Sequence, residues 1–169
     1  MPTISISNFD CLHVVLGFRI ESGYLHQTTN IHRAYRLSFL IKPLDKMSVR
    51  SEILSFKTVE GVVTTHIKFK KDTTMLTIRT MLIGSFLTDV IRDMPLPLMV
   101  YSSITVTQQL NPRGFYDYQV FINDSLVYRA ENRLAESHSD VSVYASSEGS
   151  TPADAVIKDL NIEQLNDPG

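Results

Sequence analysis

The chain predicts an all-β fold, an antiparallel two-sheet β-sandwich formed as one domain over residues 1–169, and three observations lead there. Apolar and polar residues alternate with a period of two in segment after segment, the pattern of a strand with one buried face. Turn-forming residues interrupt these segments at short intervals. No segment sustains the 3.6-residue apolar period of a helix, and ten or more short strands without intervening helices make a sandwich or barrel.

In Ala34 to Lys42, Tyr35, Leu37, Phe39 and Ile41 share one face while Arg36, Ser38 and Lys42 take the other. Thr65, Ile67 and Phe69 alternate with His66, Lys68 and Lys70. Leu76 and Ile78 alternate with Thr77 and Arg79, so with Lys71-Asp72-Thr73 between them the two runs predict a hairpin. Phe115 to Ile122 and Ser125 to Ala130, joined across Asn123-Asp124-Ser125, predict a second. Further strands are expected over 51–58, 99–109, 139–145 and 155–165. Pro43, Gly61, 93–97, 111–114 and 149–152 supply the punctuation. Ile83 to Arg92 alone carries a partial helical pattern, which Gly84 and Thr88 weaken. Met94 to Met99 is apolar and proline-restrained; it is expected to pack on the sandwich, with a subunit contact as the alternative. Ser102 to Gln109 has a hydroxyl and amide face suited to a shallow polar groove or a neighbouring sheet.

Composition excludes several classes of function. A chain of 169 residues with 43% hydrophobic content can bury a sizeable core. Sixteen basic residues against eighteen acidic ones leave a formal charge of −2, so nucleic acid and anionic membrane are not expected partners. No apolar run approaches the roughly 20 residues of a membrane helix, and Leu12 to Phe18 is too short and lacks a basic lead for a signal peptide. A single cysteine, Cys11, rules out an internal disulfide and a cysteine zinc cluster.

The segment Val141 to Ser146, V-S-V-Y-A-S, followed by Pro152 to Leu160, P-A-D-A-V-I-K-D-L, resembles the C-terminal part of concanavalin A-like, laminin-G-like jelly rolls of lectin type. The resemblance covers the C-terminal third. It implies a jelly-roll sandwich and a non-enzymatic module that recognises glycans at a concave sheet face or at the end loops. Family members often carry Asp-Pro-Trp after the V-Y-A-S strand, whereas this chain has Ser147-Glu148-Gly149 and no tryptophan. Asn111-Pro112-Arg113 resembles the N-P-R of galectins, but W-G-x-E is missing and a turn, with Pro112 fixing φ and Gly114 allowing a positive one, accounts for it.

Carbohydrate sites combine an aromatic platform with polar groups for hydroxyls, often beside a calcium ion held by loop oxygens. Tyr128, Arg129, Asn132 and Arg133 bring such groups together in sequence and are the expected ligand-binding set, against the alternative of an edge strand's solvated face. Asp140, Glu148 and Asp154 are the candidate calcium ligands, although no D-x-D-x-D loop is present; no cofactor is required, and calcium is the one admitted. Asn123-Asp124-Ser125 is an N-x-S glycosylation acceptor at a turn.

An enzyme is not expected. Retaining glucanases place two carboxylates about 5 Å apart, and their E-x-D-x-x-E pattern does not occur. The five histidines, His13, His26, His32, His66 and His138, show no metal-ligand spacing. Cys11 and His13 would share a strand face, yet a cysteine among apolar neighbours reads as a small core residue. The expected protein is therefore an extracellular lectin-like module for a glycan. The alternative is a protein-interaction or matrix-assembly module on the same fold, with homo-oligomerisation left open.

Overall fold

The computed structural model describes residues 17–83 and 86–167, so the Cys11 and His13 pair lies outside the described residues. Twelve strands are described: β1 (Phe18–Arg19), β2 (Leu25–Ile31), β3 (Tyr35–Pro43), β4 (Ser51–Lys57), β5 (Val63–Phe69), β6 (Met75–Ile83), β7 (Phe86–Pro95), β8 (Ser102–Leu110), β9 (Tyr116–Ile122), β10 (Ser125–Asn132), β11 (His138–Tyr144) and β12 (Ala155–Gln164). They form two antiparallel six-stranded sheets. Sheet A has the order β1-β12-β3-β8-β9-β10 and sheet B the order β2-β11-β4-β5-β6-β7. This is the expected all-β sandwich, with neither sheet built from consecutive strands alone.

The period of two does the work the sequence assigned to it. Leu37, Phe39, Ile104, Val106, Tyr118 and Ile157 of sheet A meet Leu54, Phe56, Ile67, Phe69, Ile78 and Val143 of sheet B, all at most 2% exposed. Each such side chain contributes about 1.5–3 kcal/mol by leaving water. Both predicted hairpins form, with β5 paired to β6 and β9 to β10. Asn111-Pro112-Arg113-Gly114 is the expected turn: Asn111 Oδ1 accepts the Arg113 and Phe115 N–H groups at 2.9 and 3.2 Å, and Gly114 has φ of 82°.

Three expectations are corrected. The partial helix over 83–92 is instead strand, the end of β6 and most of β7, with residues 84 and 85 outside the described set. Cross-strand pairing to β6 overrides the weak local pattern. The strand expected from Met99 begins at Ser102, because Met99 takes φ of 60° and donates its N–H to the Pro43 carbonyl at 2.8 Å, turning the chain. Of the apolar stretch expected to pack, Leu96 is buried and exchanges hydrogen bonds with Thr74, but Leu98 and Met99 are exposed.

Asn123 and Asp124 both have positive φ, 49° and 62°, the turn whose twist matches its flanking strands. Asn123 is held further by Ser103, whose N–H donates to Asn123 Oδ1 at 2.9 Å. Asp124 carries the left-handed strain without a comparable tether. Asp124→Gly is expected to raise unfolding free energy by about 0.5–1 kcal/mol in urea titration. A loss of stability would show that the Asp124 side chain supports the turn.

Candidate functional site

The outer face of sheet B is organised by one irregularity in β4. Leu54 and Phe56 lie opposite Ile67 and Thr65 and point into the core, so strict alternation would put Glu52 inside as well. A bulge between Glu52 and Leu54 inserts Ile53, which is itself fully buried, and Glu52 instead lies opposite Lys68 on the outer face. Two rows of side chains then cross the sheet. One runs Tyr144, Ser55, His66, Arg79, Asp89 over β11, β4, β5, β6 and β7; the other runs Glu52, Lys68, Thr77 over β4, β5 and β6. Directly opposed residues share a face and lie within about 5.5 Å of each other, so these groups are neighbours by register.

Two contiguous hollows open over the rows. A cavity of about 480 Å³ is lined by Arg50, Lys68, Phe69, Lys70, Thr77, Arg79 and Asp89. A second, of about 230 Å³, shares Arg50 and Lys68 with it and adds Glu52, His66, Ser150 and Thr151. Arg79 Nε lies 2.7 Å from Asp89 Oδ1. Burial lowers the Lys68 ammonium pKa, and the positive charges of Arg79 and Arg50 push it further down, against a weaker pull from Asp89 and Glu52.

Glu52 anchors the loop that closes this end. Its carboxylate is 4% exposed and accepts the Ser147 hydroxyl at 3.0 Å on both oxygens and the Ser147 N–H at 3.3 Å. His66 Nε2 stands 3.6 Å from Oε2. Burial alone would raise the carboxyl pKa; hydrogen bonds from His66, Ser150 and Ser147, with the His66 charge, outweigh it and hold the group down at about 2. The backbone joins in, since Glu52 N–H donates to Thr151 O at 2.8 Å and Ala153 N–H to Glu52 O at 2.9 Å. The Ser147-Glu148-Gly149 segment, which departs from the lectin-type pattern, thus owes its position to a carboxylate 95 residues away.

The sequence-predicted ligand set does not lie on one face. Tyr128 and Asn132 face inward on β10, opposite Val120 and Tyr116, while Arg129 faces outward opposite Gln119. Tyr128 packs edge-on against Tyr118, with ring centroids 6.4 Å apart. Asn132 is buried, its Nδ2 donating to Gln108 Oε1 at 2.8 Å and its Oδ1 accepting the Leu134 N–H at 3.0 Å. Arg129 pairs with Asp117, and Arg133 with Glu131 at 2.7 Å while lying 5.0 Å from the Phe115 ring centroid. Asn132 thus spends its hydrogen bonds inside the protein, while Arg129 and Arg133 remain largely exposed beside their carboxylate partners.

The calcium candidates do not converge either. Asp140 is the third residue of β11, at the register break between His138 and Val141, Glu148 follows the opposite end of that strand, and Asp154 pairs with Arg19 at 2.7 Å. Among the described residues no group of three or more His, Cys, Asp or Glu is spaced to hold a metal ion. Asn123 sits at an exposed turn, with Oδ1 engaged by Ser103.

Sequence reasoning missed Arg50, Glu52, His66, Lys68, Arg79 and Asp89 as a site. Part of the signal was present: pairing β5 to β6 across the predicted turn sets His66 against Arg79. Tyr144, the tyrosine of the V-Y-A-S motif, ends the longer row, with Lys57 Nζ 5.6 Å from its ring centroid.

The architecture is a two-sheet jelly-roll sandwich of the concanavalin A-like fold. Solved structures of this kind superpose on it: a heptameric SAP-like pentraxin from Limulus polyphemus (TM-score 0.59, 16% identity, covering 84% of this chain and 70% of that one); the carbohydrate-binding module CBM66 from Bacillus subtilis (0.53, 9%, 80% and 77%); and sheep galectin-11 (0.51, 14%, 84% and 98%). At these identities the likeness is one of fold. No protein-family profile matches the chain, and no curated protein matches it in sequence.

Proposed function

We propose that this protein is a non-enzymatic, lectin-like binding module of the extracellular space that recognises glycans on the outer face of sheet B. The observation that carries this reading is the pair of contiguous hollows sharing Arg50 and Lys68, floored by rigid strands and lined by charged and hydroxyl groups. Strand-borne donors at fixed spacing suit sugar hydroxyls, because little ordering remains to be done on binding. The fold neighbours include a carbohydrate-binding module and a galectin, which supports the reading without assigning a sugar. Binding without chemistry agrees with the two carboxylates that line the hollows among the described residues: Glu52, held at about 2, stays ionised at neutral pH and is no proton donor, and Asp89 is paired to Arg79.

On a broad glycan array, with and without a chelator, saturable binding is expected for the intact protein, and Arg79→Ala should weaken it at least about tenfold. Chelator sensitivity would add calcium to the site. Absence of saturable binding to any glycan would overturn the reading. A second reading, a protein-interaction module that self-associates or assembles matrix, has one observation in its favour: Leu98, Met99, Val100 and Tyr101 form an exposed apolar run at the turn before β8.

A further inference from the structure

The chain as a whole is slightly acidic, yet four of its sixteen basic residues, Arg50, Lys68, Lys70 and Arg79, line a single cavity in which Asp89 is the one carboxylate among the described residues. Arg79 is tied to that carboxylate. Arg50 and Lys68 have no ion-pair partner among the described residues and stand at the junction of the two hollows. Packing like charges over one sheet face opposes folding, and the Lys68 pKa, lowered first by burial, is lowered further by the charges of Arg79 and Arg50. Among the described residues Arg50 and Lys68 carry this charge without an ion pair, and Asp89 and Glu52 offset only part of the repulsion at Lys68. A ligand that brings negative charge relieves it.

Resting on the glycan-binding reading above, we propose that this groove selects anionic saccharides, seating a carboxylate or sulfate group between Arg50, Lys68 and Arg79 while Thr77 and the loop hydroxyls of Ser150 and Thr151 meet sugar hydroxyls. The two anions share the chemistry that matters here, a compact group of acceptor oxygens offered to guanidinium and ammonium donors. Arg79, fixed by Asp89, supplies an oriented donor. Lys68, half-buried on β5, supplies a point charge in partly excluded water, where its attraction is strongest. The overall charge of −2 argues against diffuse attraction to any polyanion and makes the local cluster the source of selectivity.

The test measures binding of the intact protein by titration calorimetry to four probes: dextran, dextran sulfate, hyaluronan and an oligothymidylate. Dextran sulfate or hyaluronan is expected to bind at least about tenfold more tightly than neutral dextran, and the preference between them identifies sulfate or carboxylate. Arg50→Gln and Lys68→Gln should each weaken the preferred anionic probe about five- to tenfold with unchanged thermal unfolding. Lys158→Gln, which removes the same charge from sheet A, should leave binding intact. Equal affinity for dextran and the anionic probes would overturn the anionic selectivity while leaving the glycan reading standing. No binding to any saccharide, here and on the array, would remove both. Tighter binding of oligothymidylate, or an equal loss in Lys158→Gln, would overturn the proposal in favour of generic polyanion attraction.

Discussion

Replacing Phe56 by alanine is expected to lower the free energy of unfolding by about 3–5 kcal/mol. Phe56 is 2% exposed and lies in β4 near the middle of sheet B, opposite Thr65 of β5 on one side and Val143 of β11 on the other. Strands on both flanks fix the backbone, so the cavity cannot close by moving β4 inward, and the cost is transfer free energy plus unfilled space. A domain of this size has about 5–15 kcal/mol in total, which leaves the variant near its folding limit. Phe56→Leu keeps most of the volume and should cost about 1–1.5 kcal/mol. Urea unfolding of both variants checks the pair; a loss below about 1 kcal/mol for alanine would mean that the inner face of β4 is not the packed surface described.

The same strand shows where sequence reading succeeds and where it stops. Alternation over Leu54 and Phe56 marks the inner face because burial selects apolar residues at every second position. It cannot announce Ile53, since a bulge changes parity without any obligatory residue, and the parity of Glu52 depends on it. Hairpin partners were legible through their turns: Asn123-Asp124 and Lys71-Asp72-Thr73 fix the β9/β10 and β5/β6 pairs. The pairing of β4 with β11, and of Glu52 with Ser147, joins residues far apart in the chain and leaves no local signature. Local density misled at Tyr128, Arg129, Asn132 and Arg133, because neighbours in a strand point to opposite faces and only positions two apart cooperate. The rows on sheet B are made of residues that are ordinary singly: a His, a Lys and an Arg on polar faces come onto one surface only when the strands pair in register.

Glu52 is the position at which fold and site depend on one group. Glu52→Ala is expected to cost about 2–4 kcal/mol, because the Ser147 hydroxyl and N–H lose their acceptor in a buried place and His66 loses its carboxylate. Glu52→Gln keeps the shape and one acceptor oxygen, so about half that loss is expected. The pH dependence separates charge from shape. The carboxyl group has an ordinary value of 4.5 and about 2 in the folded protein; a depressed carboxylate stabilises fully above 4.5, and its contribution disappears as pH falls through the folded value. The difference in unfolding free energy between native protein and Glu52→Gln should therefore be present at about pH 5 and shrink between about 4.5 and 2. A difference that does not narrow with acid would place the stabilisation in packing. Because Ser150 and Thr151 line the hollow beside His66, loosening the loop should also weaken saccharide binding in Glu52→Ala, at temperatures where the variant is still folded. Retained affinity in a destabilised Glu52→Ala protein would show that the cationic groups on β5 and β6 bind ligand without the loop.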